Sequence, residues 1–384
     1  MIAPERSHEF GVPPLPRLSL VRGEGARFWD ARGRSYVDLG ASHGVGNLGA
    51  CPPEVVRAIT EQARELIHLG SGYANPVRTA FLERLLALLP ASFSRVFLSN
   101  SGTEAVEAAI KIARSATGRT KVVAAMRGFH GRTMGSLSAT WRRELREPFE
   151  PLVPGFVHVA FNDAAALEAA VDDSTALVLL EPVQGEGGVH VATAEFLERA
   201  RSATERAGAL LAFDEVQTGI ARTGRLFAFE RWGIVPDLLL LAKSLAGGVP
   251  IGATVTTNEV AGRFRGTHHS TFGGSPLACA AGLAALELTV RERLAERAER
   301  LGEVGRRALV SLPPERVRDV RGLGLLLGIE LREKVAPYLA ALQERGFLAI
   351  PAGATVLRLL PPLVISEPDW QAGLAAVQGV ISGG

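Results

Sequence analysis

The sequence predicts an α/β fold built on a mostly parallel, seven-stranded sheet. Seven short apolar runs, bounded by Gly, Pro or charged residues, alternate with stretches whose apolar residues recur every three or four positions. Runs without a polar face are typical of parallel strands that helices cover on both sides. After about residue 276 the pattern changes to short strands mixed with helices. A smaller α+β unit, completed by the N-terminal segment, is therefore expected beside the large one.

The elements can be assigned in order along the chain. Residues 1–20 are Pro-rich and are expected to form an arm, and residues 27–39 suggest a hairpin with its turn near Gly33. Helices are expected at 53–68, 76–89, 104–117, 163–171 and 194–207. Strands are expected at 95–98, 121–125, 156–160, 176–180, 209–213, 238–242 and 252–256. A long helix with room for an interruption is expected at 276–311, then strands around 317–330 and 347–359 and helices at 334–345 and 367–381.

The length of 384 residues exceeds that of a usual single domain. We expect residues 1–52 to form an arm and hairpin packed with the small domain. Residues 53–275 are then the large, ligand-binding domain, and residues 276–384 form the C-terminal small domain.

Composition excludes several classes of protein. The net charge is only +2 and no block of five or six basic residues occurs, so nothing indicates nucleic-acid binding. Cys51 and Cys279 lack CxxC spacing, which is typical of a reducing compartment without a disulfide framework. Neither a signal peptide nor a run of 18 uncharged apolar residues is found. A cytoplasmic protein is expected.

Lysine is rare in this chain, and one lysine stands out by its position. Only four of the 42 basic residues are lysine, and Lys243 directly follows the apolar run 238–242. An ammonium at the end of a buried strand loses hydration, which lowers its pKa. A desolvated lysine can become a free amine and attack a carbonyl, whereas an arginine cannot. Lys243 is therefore the first candidate for a catalytic residue.

Acidic residues follow two neighbouring apolar runs. Asp214 closes the run 209–213, and Glu181 and Glu186 follow the run 176–180. A single such Asp is often only a helix cap or turn residue. In an open α/β sheet, however, ligands gather at the carboxyl ends of strands, where Asp214 and Lys243 would meet. An amine and a carboxylate that keeps a pyridine nitrogen protonated are the two groups that pyridoxal phosphate (PLP) requires.

Two Gly-containing loops could complete such a site. The loop 99–104 precedes a helix, and its free N–H groups, hydroxyls and glycine suit a phosphate, although Ser-Gly-Thr-Glu is also an ordinary capping box. In the loop 128–133, Phe129 could stack on a cofactor and Arg132 could bind a carboxylate. A plain polar loop with a solvated arginine is the alternative.

Two further positions carry charge or potential ligands. Arg358 lies inside an apolar strand, so it must meet a bound anion, a carbonyl or a core carboxylate. His268 and His269 are adjacent but have no partner at ligand spacing, and no metal site is expected.

Together these stretches resemble the class III, or ω-amino-acid, aminotransferases of PLP fold type I. The resemblance covers nearly the whole chain in order. It rests on the motifs NSGTEAVEAAIKIAR, GFHGRT, LEPVQGEGGV, FDEVQTGIARTG, LAKSLAGGVPIGA, STFGGSPLA and RGLGLLLGIE. The chain departs from the family pattern at Ser275, where Asn is usual, and at Ala50, where His is common.

The resemblance implies a role for each matching residue. Lys243 would bind PLP covalently and later act as general acid and base, while Asp214 would pair with the ring nitrogen. Phe129 and Val216 would pack on the two ring faces, and Gln217 would reach the phenolic oxygen. The full cofactor-binding set is Ser101, Gly102, Thr103, Phe129, Asp214, Glu215, Val216, Gln217, Lys243 and Thr271.

The resemblance also implies substrate contacts and a partner. Arg132 and Ser270 would contact the substrate, and Arg358 would bind the α-carboxylate of glutamate, which is exchanged with 2-oxoglutarate. Glu186 resembles the acid that neutralises this arginine when an ω-amine enters. Thr271 would come from the neighbouring subunit and complete the phosphate site, so that a homodimer is required for activity.

Within the family, the chain is similar to the acetylornithine aminotransferase group of arginine biosynthesis, which acts on α-N-blocked diamino acids. Peripheral stretches such as SATWRRELREPF look more like the lysine-biosynthesis branch, which acts on aminoadipate semialdehyde linked to a small acidic carrier protein. A pI of about 8.7 and the arginines Arg142, Arg143 and Arg146 would suit such a carrier.

Other functions stay open at this point. The same fold supports GABA or diamine aminotransferases, aminomutases and decarboxylases, and a non-catalytic PLP-fold protein is a further alternative. The pair of Arg358 and Glu186 favours a transaminase with two kinds of substrate. Retention of Lys243, Asp214 and the loop 99–104 favours an enzyme over a binding module.

Overall fold

A computed structural model describes residues 18–383, so most of the expected arm, residues 1–17, lies outside the described part. The strands are β1 (Leu20–Glu24), β2 (Arg27–Asp30), β3 (Ser35–Asp38), β4 (Phe93–Ser99), β5 (Lys121–Ala125), β6 (Phe156–Val159), β7 (Thr175–Leu180), β8 (Val183–Gln184), β9 (His190–Val191), β10 (Leu210–Asp214), β11 (Leu238–Leu241), β12 (Gly252–Thr257), β13 (Val317–Leu323), β14 (Leu326–Leu331), β15 (Phe347–Leu348), β16 (Ile350–Ala352) and β17 (Val356–Leu359). The longer helices span Pro53–Glu65, Pro76–Ala87, Gly102–Thr117, Ala194–Ala207, Pro276–Arg291, Leu294–Leu309, Ala336–Glu344 and Glu367–Ser382. Shorter helical segments span Met134–Ala139, Arg143–Arg146, Glu147–Phe149, Ala164–Ala170, Ala228–Arg231, Lys243–Ala246 and Asn258–Arg263.

The seven-stranded sheet has the order β4-β12-β11-β10-β7-β5-β6. The pairs β11/β10, β10/β7, β7/β5 and β5/β6 are parallel, whereas β12 runs antiparallel to both of its neighbours. All seven predicted apolar runs are strands of this sheet, and the predicted α/β class is confirmed. Because six strands share one direction, their carboxyl ends lie along the same edge of the sheet.

The strands are buried on both faces, which explains their composition. Every residue of β7, β10 and β11 is buried. Helix Gly102–Thr117 packs against one face of the sheet with its alanines and isoleucines. Leucine and valine fill the space between the layers, and each fully buried side chain contributes about 1.5–3 kcal/mol.

Residues with the expected capping chemistry set the ends of the helices. Ser101 begins helix Gly102–Thr117 because its hydroxyl accepts a hydrogen bond from the backbone of Glu104. Gly118 ends that helix with a left-handed φ of 71°. The interruption expected within 276–311 falls at Glu292 and Arg293, between two helices of 16 residues each.

Two smaller sheets join the chain ends. The hairpin β2–β3 forms as expected, and β3 pairs in parallel with β15 from the C-terminal half. A second sheet has the order β13-β14-β17-β16, with Arg358 in its third strand. The N-terminal hairpin and the C-terminal segment therefore share one sheet. The domain boundaries at 52/53 and 275/276 stay a prediction.

A buried arginine, Arg222, connects the segment that follows β10 with residues of the N- and C-terminal segments through hydrogen bonds. Arg222 is fully buried and donates hydrogen bonds to the carbonyl oxygens of Leu325 and Pro361 and to Asn47 Oδ1. Burial lowers the pKa of Arg222 to about 9.

Between residues 18 and 383, no helix is long and apolar enough to cross a membrane.

Candidate active site

Lys243 lies just beyond the carboxyl end of the buried strand β11. It adopts a left-handed φ of 43° and starts the short helical turn Lys243–Ala246. Desolvation lowers the pKa of its amine, an effect that Glu186 and Asp214 partly oppose through their negative charge. Its side chain lines the same cavity as Glu181, Glu186 and Asp214.

Asp214 ends the adjacent strand β10 and is only 5% exposed. One of its oxygens lies 2.8 Å from His130 Nδ1, and the other accepts a hydrogen bond from the backbone N–H of Val216 at 3.1 Å. Burial alone would lower the pKa of His130, but the hydrogen bond and the charge of Asp214 raise this pKa above its ordinary value. The contact with His130 fixes the position of the Asp214 carboxylate at the end of β10.

His130 was not assigned a function from the sequence, although it belongs to the loop 128–133 that was singled out. Its side chain is fully buried, and Nε2 has no hydrogen-bond partner among the residues described. Nothing in the sequence distinguishes it from a solvated loop histidine. Only the fold brings it onto Asp214, 84 positions later.

Glu181 is the third acid at this edge of the sheet. Its oxygens accept hydrogen bonds from the backbone N–H groups of Phe129 and Gly185, at 2.9 and 3.3 Å. Burial is the main cause that raises the pKa of Glu181 to about 7, although the charges of His130 and Lys243 lower it.

These side chains line a cavity of about 250 Å³ at the carboxyl ends of the strands. Its walls contain Gly102, Thr103, Phe129, His130, Gly131, Arg132, Glu181, Glu186, Asp214, Val216, Gln217 and Lys243. Eight of these twelve residues were expected from the sequence to bind cofactor or substrate, and Glu186 was expected to neutralise Arg358. The fold thus collects them from five separate stretches of the chain.

The cavity has the features that PLP requires. Gly102 and Thr103 open a helix of 16 residues, whose first N–H groups suit a phosphate. A Cβ at Gly102 would lie 2.7 Å from Val216 Cγ1, and one at Gly131 would lie 2.3 Å from Thr103 Oγ1. A side chain at either position would clash with a residue of the cavity wall, so only glycine fits at both. An amine, a buried carboxylate and an anion site within one cavity fit PLP.

Ser101 caps helix Gly102–Thr117 and is not among the residues that line the cavity. Its hydroxyl lies 2.9 Å from Glu104 Oε2, and that carboxylate accepts the backbone N–H of Asn100 at 2.8 Å. The capping box considered from the sequence is thus present, and it holds the backbone of Gly102 and Thr103 in place.

Arg358 is fully buried within β17 and does not itself line the cavity, but its guanidinium contacts the lining residues Glu186 and Gln217. Nη1 lies 2.7 Å from Glu186 Oε1 and donates a hydrogen bond to Gln217 Oε1 at 2.9 Å. Burial tends to raise the pKa of Glu186, but the neighbouring His43 ring and the charge and hydrogen bond of Arg358 hold it well below its usual range. Arg358 was expected to meet an anion or a carbonyl group, and its anionic partner in the structure is Glu186.

The structure places Glu215 away from the cofactor cavity, contrary to its inclusion in the expected cofactor set. Its carboxylate accepts hydrogen bonds from the backbone N–H groups of Ala228 and Phe229, at 2.6 and 2.8 Å. Successive residues at a strand end point to opposite sides, so Glu215 turns away when Asp214 faces the cavity. Burial raises the pKa of Glu215 to about 7.

Ser270 and Thr271 lie outside the Lys243 cavity of their own chain. They line a separate open cavity of about 410 Å³ together with Asn100, whose amide donates to Ser270 Oγ at 3.2 Å. The expectation that Thr271 serves the site of a second subunit stays a prediction. A substrate contact by Ser270 would equally have to be made across subunits.

His268 and His269 lie in the same loop. His268 Nδ1 is 2.7 Å from Lys111 Nζ, and its ring packs on Phe97. Over residues 18–383, no group of three or more His, Cys, Asp or Glu side chains could hold a metal ion.

Residues 10–381 match the family described as Aminotransferase class-III. The [LysW]-aminoadipate semialdehyde transaminase of Deinococcus radiodurans is 46% identical, over 99% of this chain and 90% of that protein. The acetylornithine aminotransferase of Methanopyrus kandleri is 49% identical, over 93% of this chain and 92% of that protein. The ornithine aminotransferase of Toxoplasma gondii, with PLP at partial occupancy in its active site, superposes with a TM-score of 0.95 at 34% identity, over 99% and 93% of the two chains.

Proposed function

The chain belongs to the class-III aminotransferases, which are PLP-dependent transaminases, and we propose that it exchanges an amino group between glutamate and the ω-position of an α-N-blocked diamino acid. The ion pair between Arg358 and Glu186 in the wall of the Lys243 cavity carries this proposal. A buried guanidinium can bind a dicarboxylate when its internal partner withdraws. The closed pair is neutral and suits a substrate that enters with an amine end.

PLP, when bound, supplies an electron sink that stabilises negative charge on the carbon next to the transferred nitrogen. Lys243 would be the residue that holds the cofactor covalently, and the lowered pKa of its amine favours the uncharged form that such a bond needs. The same amine, when free, would be the group in this cavity that accepts and returns a proton. A positioned group of this kind contributes about 10²–10⁴-fold to the rate.

The other cavity residues would hold the cofactor. The carboxylate of Asp214, oriented by His130, would accept a hydrogen bond from the ring nitrogen and favour its protonated form. Phe129 and Val216 would pack against the ring, and Gln217 would bind the phenolic oxygen. Gly102 and Thr103 would bind the phosphate at the helix N-terminus.

A homodimer completes the phosphate site in this proposal. Thr271 is exposed in its own chain and lies outside the Lys243 cavity. The partner subunit's Thr271 would then supply a hydroxyl that the chain alone does not bring to its phosphate site. Arg132 is exposed at the mouth of the cavity and is available to a substrate carboxylate.

The ω-amine substrate that we favour is lysine linked to a small acidic carrier protein, with aminoadipate semialdehyde as the corresponding carbonyl compound. The name of the Deinococcus radiodurans relative supports a carrier-linked substrate. A second, open cavity of about 680 Å³ also supports a carrier-linked substrate. It shares Glu186 with the Lys243 cavity and is larger than an acetyl group needs. It is lined by Arg127, Trp141, Arg142, Arg143, Glu144, Arg146, Glu147, Glu150, Glu186, Gly187 and Gly353.

The charges of this outer cavity suit an acidic partner. Glu147 is paired with Arg143, and Glu186 is paired with Arg358. Within residues 18–383, Arg127, Arg142 and Arg146 form no ion pair, and neither do Glu144 and Glu150, so the unpaired side chains of the lining carry a small positive excess. Unpaired guanidinium groups beside the entrance would attract carboxylates and raise the rate of encounter with an acidic carrier.

Steady-state kinetics with carrier-linked lysine and with free N-acetylornithine tests the substrate assignment. We expect kcat/KM to favour carrier-linked lysine by about tenfold or more. Arg142→Ala should lower kcat/KM for the carrier substrate several-fold more than for acetylornithine, because only the carrier reaches the outer cavity. Arg300→Ala, on the surface near Glu367, is the matched control.

The alternative is N-acetylornithine as the physiological substrate, which the Methanopyrus kandleri relative supports by name. A kcat/KM that favours acetylornithine by tenfold or more would establish this alternative and refute the carrier assignment. Loss of activity toward both substrates on adding glutarate, a competitor for Arg358, is expected in either case.

A further inference from the structure

A strained turn holds His43 beside the ion pair. Ala41, Ser42 and His43 have φ angles of 41°, 48° and 60°, all in the left-handed region. Non-glycine residues adopt this region at a cost, because Cβ approaches the following carbonyl oxygen. Asp38 Oδ1 accepts two backbone N–H groups at the entry of the turn, both at 2.8 Å, and Gln217 Nε2 donates to the carbonyl oxygen of His43 at 3.2 Å. Such a run persists only where its surroundings enforce it.

The imidazole of His43 faces both members of the ion pair with the same atom. Its Nδ1 lies 3.2 Å from Arg358 Nη2 and 3.5 Å from Glu186 Oε1. Without a proton, Nδ1 can accept a hydrogen bond from the guanidinium. With a proton, it can donate to the carboxylate. One ring atom can therefore serve either partner, but only one of them at a time.

Opening the ion pair would leave Glu186 in an unfavourable place. Its side chain is 27% exposed, and its closest partner is Arg358 at 2.7 Å. When a substrate carboxylate takes the guanidinium, Glu186 keeps a negative charge that water can solvate only in part, because its side chain is mostly buried. Such a carboxylate needs another donor. Only Gln217 Nε2, at 3.4 Å, and His43 are within reach of the same oxygen among the described residues.

We propose that His43 is a positioning residue that receives Glu186 when Arg358 binds the carboxylate of the amino donor. In the closed state His43 accepts a hydrogen bond from Arg358, and in the open state it donates one to Glu186. The inference rests on the proposed use of glutamate, because a dicarboxylate must displace Glu186 for the open state to arise. It assigns His43 to substrate selection and leaves the chemistry at Lys243 unchanged.

The change of hydrogen-bond partner requires only a change of tautomer of the His43 ring, with protons exchanged with water. In the closed state the ring proton is on Nε2. On opening, Nδ1 gains a proton from water and Nε2 releases one to water, so no net proton is taken up. The His43 side chain is 57% exposed, which gives solvent access to the ring.

Binding of glutarate to the holoenzyme tests this inference, because glutarate is a dicarboxylate without an amine and does not react. Isothermal titration calorimetry of His43→Phe should show glutarate binding about tenfold or more weaker than in the parent enzyme, since a hydrogen bond to a charged group is lost. His43→Asn should bind within about threefold of the parent, because an amide places either a donor or an acceptor near the Nδ1 position. Single-turnover kinetics with glutamate should show the same loss in apparent Kd and not in the limiting rate.

The background variant Glu186→Gln provides the decisive control. Without a negative charge at position 186, no charge needs compensation after opening. Glutarate affinity in the double variant Glu186→Gln/His43→Phe should therefore lie within about twofold of that in Glu186→Gln. An undiminished tenfold loss in the double variant would overturn the inference, because His43 would then act on something other than Glu186.

Failure of the inference can be told from failure of the proposed function. If Arg358→Leu loses glutarate binding while His43→Phe binds it as tightly as the parent, the role of His43 is wrong and the role of Arg358 stands. If Arg358→Leu binds glutarate as the parent does, the proposed dicarboxylate site itself is wrong. Equal losses in His43→Phe and His43→Asn would also overturn the inference, since hydrogen bonding would not be the cause.

Discussion

Replacing Gly102 with alanine tests where the cofactor lies relative to the helix N-terminus. A Cβ at this position would lie 2.7 Å from Val216 Cγ1 and 3.0 Å from Cγ2. These distances are roughly 0.5–1.3 Å below the 3.5–4.0 Å optimum for carbon atoms. Val216 must therefore move, and it lines the same cavity as Gly102. The space into which it can move is the space proposed for the cofactor ring.

The size of the effect follows from this geometry. The apo protein can place the displaced Val216 in the cavity, so we expect its free energy of unfolding to fall by less than about 1 kcal/mol. With PLP bound, the displaced side chain overpacks the site at a cost of about 1–3 kcal/mol. The Kd for PLP should then rise by about 5- to 150-fold.

Titration of the apo protein with PLP, followed by quenching of intrinsic fluorescence, measures this Kd. Gly262→Ala is the matched control, because that glycine also lies in a helix and nothing lies within 4 Å of its added Cβ. A Kd for Gly102→Ala within twofold of the parent would refute the proposed cofactor position.

Two further predictions concern buried charges. His130→Asn should lower the free energy of unfolding of the apo protein by about 1.5–3 kcal/mol at about pH 6. Because Asp214 raises the pKa of His130 above its ordinary 6.5, this stabilisation is fully present below about pH 6.5 and is lost as pH rises through the folded-state pKa. Urea unfolding at about pH 6 and 9 checks this prediction, and a deficit that does not shrink at high pH would contradict it. Arg222→Met should cost about 3 kcal/mol or more in the same assay, because three buried acceptors lose their donor at about 1–3 kcal/mol each. The exposed Arg300→Met is the control, and an equal small loss in both variants would count against the proposed role of Arg222.

The sheet and most of the cavity could be predicted from the sequence because their physical signals are strong. A buried parallel strand must be apolar throughout, so runs such as 238–241 stand out, and the residues that follow them fall at one edge of the sheet. Lys243 and Asp214 were identified in this way. The pairing of Arg358 with an anion followed from the high cost of an isolated buried charge.

Other features left no such signal. His130 has the same local sequence context whether it is solvated or buried against Asp214. The left-handed turn at Ala41–His43 is formed by residues that do not favour positive φ, so only tertiary contacts reveal it. Glu215 was placed on the wrong side because the motif was read without the alternation of side chains at a strand end. The two-residue strands β8 and β9 are too short for any periodicity to appear.

The central claim is that Lys243 is the amine that reacts with PLP. Borohydride reduction of the holoenzyme, followed by peptide mass spectrometry, tests it most directly, because reduction converts the covalent link into a stable secondary amine. We predict a pyridoxyl adduct on Lys243 alone among the four lysines of the chain. Lys243→Ala should retain PLP without a covalent bond and lose turnover by about 10²-fold or more. An adduct on another lysine, or near-parental turnover by Lys243→Ala, would contradict the assignment.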